Sequence, residues 1–177
     1  MAARPFEPPV QHSLRPRLAA IAPSAAEVVQ FAGGWLFDQV MAGWDVTVIT
    51  ADRADPLPLR ILGVRSRDLN ILLAAPLAGP CLHAIGLRTD LYDADERVRR
   101  MVRTIVAVGR AEIRLWGDCW PADLGQRSAP VSHHLSVAAM AFKAQALAAA
   151  AAPAVSALDT ELFQRAAISH SNLAAAR

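Results

Sequence analysis

Asp45-Val-Thr-Val-Ile-Thr50 decides the fold class. Every residue after Asp45 in this stretch is β-branched, and the run is almost continuously apolar. Such side chains suit a pleated surface covered on both faces, so the stretch predicts a buried strand. Immediately before it, Ser24-Ala-Ala-Glu27 has the pattern of a helix start, with serine capping and glutamate reaching back. The helix is predicted to run to about Ala42, with Gly43 as its stop. Val28, Val29, Phe31, Leu36, Phe37, Val40 and Met41 leave it few polar positions, so it is largely buried. Gly33-Gly34 lies inside it, at a cost of about 1 kcal/mol per glycine relative to alanine. Close packing against another backbone would offset that cost, and a kink is the other explanation.

The alternation continues downstream. Leu59-Arg-Ile-Leu62 reads as a second strand after the turn Asp52–Pro58, and Ser66 starts a short helix to Ala75. Cys81–Gly86 reads as a strand, and Asp93-Ala-Asp-Glu96 opens a helix to about Val108. Ala111–Trp116 is a fourth strand, followed by a loop over Gly117–Pro130. Ser132 caps an Ala-rich helix that Pro153 ends, and Ser156-Ala-Leu-Asp159 starts a last short helix. Strands separated by helices predict one α/β domain of three layers, with a mainly parallel sheet of about four strands and an Ala-rich helical C-terminal region. The turn after the first strand holds no helix, so the first two strands form a hairpin or end at a sheet edge. Residues 24–168 form this domain. Residues 1–23, with Pro5, Pro8, Pro9 and Pro16, read as a disordered, mildly basic arm, and 169–177 as a frayed end.

The segment Ala32-Gly-Gly-Trp-Leu-Phe-Asp-Gln-Val-Met-Ala-Gly-Trp-Asp-Val-Thr-Val-Ile-Thr-Ala-Asp52 resembles uncharacterised actinobacterial proteins. The resemblance covers those 21 residues and implies no activity. Composition agrees with a high-GC genome: of 177 residues 37 are alanine, and of 18 basic residues 17 are arginine, Lys143 being the sole lysine. That coding bias weakens the arginine excess as a sign of phosphate binding. A net charge of +2 excludes a strongly polybasic or acidic protein. Two cysteines do not make a disulfide framework. The Leu135–Val155 stretch is apolar but mostly alanine, and Lys143 and Gln145 interrupt it, so no membrane span is expected. A cytoplasmic protein follows as the default.

Three motifs are missing: G-x-x-x-x-G-K-[ST], G-x-G-x-x-G and G-x-S-x-G. Ligands of open α/β sheets sit beyond the carboxyl ends of the strands. Those ends supply the ligand-binding candidates Asp52, Arg53, Arg88, Asp90, Trp116, Asp118 and Trp120, although a turn role also explains Asp52. Asp90, Asp93, Asp95 and Glu96 would serve acid–base chemistry, yet helix capping explains three of the four. Arg99, Arg100 and Arg103 share a helix face and are anion-binding candidates. The pairs Asp95–Arg99 and Glu96–Arg100 would instead make that face a solvated one. Cys81 and His83 lie on one strand face and are the best metal candidates, with Cys119, His133 and His134 too far along the chain to support them. No metal and no cofactor are expected.

The leading expectation is a non-catalytic binding or regulatory module that engages a protein partner, a second copy included, through its Ala-rich helices. Whether the chain is an enzyme stays open. One alternative is a small-molecule or nucleotide-binding enzyme with its site at the strand ends. Another is nucleic-acid binding through the arginine face.

Overall fold

The computed structural model describes residues 15–52, 55–74, 82–107, 111–118, 120, 121, 124, 127–152 and 159–166. Their order is β1 (Arg17–Ala22), α1 (Ala25–Met41), β2 (Asp45–Thr50), α2 (Leu57–Ile61), β3 (Arg65–Asp68), α3 (Leu69–Ala74) and β4 (Ala84–Arg88). Then come α4 (Thr89–Ala94), α5 (Glu96–Ala107), β5 (Glu112–Trp116), β6 (Arg127–His134), α6 (Val137–Ala149) and β7 (Thr160–Ala166). The described strands form one seven-stranded sheet in the order β3-β2-β1-β4-β5-β7-β6. The first five are parallel, and β7 runs antiparallel to both β5 and β6. The α/β expectation holds, but the sheet has seven strands rather than about four, and it is mixed.

Each departure has a local cause. Arg17–Ala22 falls within the stretch read as a disordered arm, yet it is the interior strand β1, between β2 and β4. Its alanines are poor strand formers, and prolines at 16 and 23 bracket it, so propensity hides it. Placement decides the outcome: Leu18 to Ala22 are all buried, and small side chains fit beneath helices on both faces. Residues 59–61 are helical instead of extended, and Leu62 is the C-cap. Pro58 sits in the first turn of α2, and the buried Leu59 and Leu62 are three apart, the helical period. The second strand is β3, four polar residues at a sheet edge, where no apolar pattern is needed. It pairs parallel to β2, so no hairpin forms. Residues from Thr160 form β7 rather than a helix, because Phe163 is buried while Leu162 is exposed, a period of two. The loop read over Gly117–Pro130 gives way to β6 from Arg127, and the cap of α6 is Ser136 rather than Ser132.

Residues of β1 alternate between two buried clusters. Leu18, Ala20 and Ala22 pack with α1, α2 and α6. Ala19 and Ile21 pack with Ile85, Leu87, Tyr92, Val98 and Val102 on the opposite face. These are the three layers. Among the described residues no helix is long and apolar enough to cross a membrane.

Gly33-Gly34 is offset by side chains rather than by another backbone. A Cβ on Gly34 would collide with the isobutyl group of Leu135, and one on Gly33 would lie 3.4 Å from Leu62. Gly34→Ala gains about 1 kcal/mol of helix propensity and loses about 1–3 kcal/mol to overpacking. A net fall in the urea midpoint is therefore expected, and an unchanged or higher midpoint would show that Leu135 moves aside freely.

Candidate functional site

The strand order reverses at β1: the chain steps outward to β2 and β3, then returns to β4 on the other side. Such a switch point opens a crevice at the carboxyl ends of the flanking strands. On one wall β1 feeds α1 through Pro23 and Ser24. The Ser24 hydroxyl accepts the Glu27 amide at 3.2 Å, which caps α1 as predicted. Asp52 is drawn to the same place, since its N–H donates to the Pro23 carbonyl at 3.0 Å. The Thr50 hydroxyl donates to the Asp52 carbonyl at 3.2 Å and holds the turn. Glu27 Oε2 and Asp52 Oδ1 are both buried, and neither has a hydrogen-bond partner among the described residues. A buried charged oxygen left in that state costs a large part of its desolvation energy, roughly 1–3 kcal/mol or more.

The opposite wall comes from β4 and β5. Arg88 donates to Asp90 Oδ2 from Nε at 2.9 Å and from Nη2 at 2.6 Å. Its guanidinium lies 5.1 Å from the centre of the Phe31 ring. Glu27, Phe31 and Trp35 are four apart on α1, so they share one stripe of the helix. Gly86 is the floor beneath Trp35. A Cβ there would come within 2.9 Å of both Trp116 and Trp35. Thr89 donates to the Trp116 carbonyl at 3.3 Å and ties the end of β5 to the start of α4.

The predicted residues separate accordingly. Asp52 is tied through its amide to the Pro23 carbonyl, next to the cap residue Ser24. Arg88 and Asp90 bind each other, and Trp116 is a buried wall against Trp35 and Phe163 rather than an exposed indole. Asp118 is exposed beyond Gly117. Trp120 packs against the opposite layer. Arg53, Cys81 and Cys119 lie outside the described residues. His83 is at the amino edge, where its Nδ1 accepts the Arg17 amide at 3.1 Å. Among the described residues no three His, Cys, Asp or Glu side chains group so as to hold a metal ion.

The arginine face is paired differently from the expected i,i+4 ladder. Arg99 meets Glu96 at 2.7 Å and stacks over Tyr92, and Arg97 takes Asp95 at 2.8 Å. The Arg97 hydrogen bond holds the Asp95 carboxyl below the usual aspartate range, against weak desolvation. Arg100 and Arg103 are exposed on the same helix.

Sequence reasoning gave Glu27 only a capping role, because the strand before it went unread. It also missed a second polar cluster. Ser136 donates to Asp38 through its hydroxyl at 2.6 Å and its amide at 3.2 Å, and His133 Nε2 lies 2.8 Å from the same carboxylate. Serine and histidine both meet the aspartate and not each other. This is a staple between α1 and the start of α6, not a nucleophile with its base. Burial raises the Asp38 carboxyl, but the bonds from Ser136 and His133 outweigh it, so it lies below the ordinary 3.8. A depressed folded value means that Asp38 contributes its full stability above pH 3.8 and loses it as pH falls through the lowered value. Asp38→Asn is therefore expected to be less stable at neutral pH, with the gap from the native chain closing in acid. Urea titrations at stepped pH check this, and a gap that widens in acid would refute it.

No family model and no curated protein matches the sequence. Solved structures do. The crystal structure of a deacetylase–teicoplanin complex from the teicoplanin biosynthesis pathway superposes with a TM-score of 0.60 at 14% identity, covering 84% of this chain and 97% of that one. The A40926 pseudoaglycone deacetylase gives 0.57 at 17% identity, covering 88% and 100%. The zinc inhibited form of teicoplanin deacetylase gives 0.52 at 14% identity, covering 75% and 82%. These identities establish a common fold and no more. They correct the expectation of a non-catalytic binding module, which rested on missing motifs: the similar structures are enzymes, and the chain is an α/β domain with the mixed sheet and helices of the deacetylase fold.

Proposed function

We propose that this chain is an enzyme acting on a small polar molecule at the crevice between β1, β2 and β4, and that it hydrolyses an acyl amide. The observation that carries the reading is the pair of unpartnered carboxylate oxygens, on Glu27 in the first turn of α1 and on Asp52 just after β2. The fold shared with deacetylases supports it. A carboxylate kept from protein donors is free to take a proton from water as the water attacks an acyl carbon. Glu27, at the head of α1, has that role. The proton then passes to the leaving amine, and Asp52 holds the resulting ammonium. Phe31 lines the approach, and the Arg88–Asp90 pair keeps Arg88 from neutralising either acid.

One of the similar structures is a zinc inhibited form of its enzyme. A catalytic zinc takes three protein ligands. The described residues offer no such group, so they do not fit a zinc centre.

Acetate release from a panel of N-acetylated small molecules, teicoplanin among the compounds offered, tests the proposal. Turnover is expected, and Glu27→Gln should lower kcat about 10²–10⁴-fold with the fold intact. Absence of turnover across the panel, or a fully active Glu27→Gln, would sink it.

A further inference from the structure

Phe31 is 37% exposed, while Val28, Val29 and Trp35 around it on α1 are buried. One exposed ring is ordinary. This one is backed by a fixed cation. The Arg88 guanidinium lies over the ring, 5.1 Å from its centre, and the Arg88 side chain is only 12% exposed. Two hydrogen bonds to Asp90 Oδ2 hold the guanidinium in place. It draws on the π face of the ring and so sets the ring's orientation. The ion pair buried beside the middle of α1 differs. There Lys143 Nζ, on α6, donates to Glu161 Oε1 on β7 at 2.6 Å, and the Gly34 and Trp35 amides donate to the same carboxylate. That pair is closed to a ligand, whereas the Phe31 ring keeps an open side.

Phe31 is one turn along α1 from Glu27, on the same stripe. It leans toward β4, since Arg88 ends that strand. Asp52 follows β2, on the other side of β1. An amide whose amine half meets Asp52 therefore turns its acyl half toward Phe31. Charge then narrows the acyl group. A cation on the open side would compete with Arg88 for a single ring quadrupole, and an anion would be repelled by the Glu27 carboxylate. A neutral ring fits, because aromatic pairs stack offset or edge to face with centres about 4.5–7 Å apart.

We propose, resting on the acyl-amide hydrolysis put forward above, that Phe31 is a specificity residue of the crevice and takes an uncharged aromatic acyl group against its open side. Water adds its oxygen to the acyl carbon and the carbon–nitrogen bond breaks. The nitrogen takes up both of the water's protons, which leaves an aryl-substituted carboxylate and an ammonium. Acetamides react in the same way but leave the ring uncovered.

Two amides of one amine, N-acetylethanolamine and N-phenylacetylethanolamine, test this in the native full chain and in Phe31→Ala. For the native chain kcat/KM should be about 10-fold or more higher with the phenylacetyl compound, mainly through KM, and in Phe31→Ala the ratio should fall towards one. A ratio near one in the native chain, or a ratio that survives in Phe31→Ala, would overturn the assignment. Each compound is also titrated into the native chain by NMR, with the Phe31 ring signals assigned by their loss in the variant. The phenylacetyl compound should shift those signals and the acetyl compound should not. If neither amide is hydrolysed but that shift appears, the reaction falls and the aromatic subsite stands. If neither reacts and no shift appears, the subsite falls with it.

Discussion

Glu161→Ala is expected to destabilise the chain by about 3–5 kcal/mol, the usual result of removing one partner from a buried ion pair. The substitution strands the Lys143 ammonium, which is 6% exposed, and removes the acceptor of two helix amides at once. Its counterpart should be milder. In Lys143→Met the carboxylate keeps both amides, and methionine fills much of the lysine stem's volume, so about 1–3 kcal/mol is lost. Chemical denaturation of the two variants reads the asymmetry. Equal losses would mean that the amides contribute nothing to holding Glu161.

Trp35→Ala is expected to cost a similar 3–5 kcal/mol, through lost apolar burial and the cavity left behind. Trp35 is 1% exposed, with its ring 5.0 Å from Phe163 and the Arg114 guanidinium 4.8 Å above it. Gly86 lies beneath it with no side chain able to fill the space. Collapse is hindered because the floor is strand backbone, which places the cost at the upper end. Thermal unfolding gives the value, and a change below about 1 kcal/mol would mean that Trp116 and Phe163 close the gap.

Legibility followed the strength of local pattern. The β-branched run of β2 and the apolar α1 were readable because one period dominates each. β1 was not, since a strand of alanines differs from a loop only by where it is placed. β3 was hidden because an exposed edge carries no apolar signal, and β7 because Ser156-Ala-Leu-Asp159 resembles a helix start. The site inherited these errors. Asp52 was legible as an acid after a visible strand. Glu27 was read as a cap because nothing marked the residues before Ser24 as a strand. Arg88 and Asp90 were found by position, but their preference for each other is a matter of side-chain geometry. Trp120 follows the same strand as Trp116 and still packs in the other layer.

Burial of the only lysine has a practical corollary. Acylating and reductively alkylating reagents aimed at side-chain amines have one target in these 177 residues, and in the native fold it is occupied by a carboxylate. Modification of Lys143 would then proceed only through opening of α6. The increment at Lys143, separated by peptide mapping from that at the terminal α-amine and timed under native conditions, becomes a clock for that opening and needs no engineered probe.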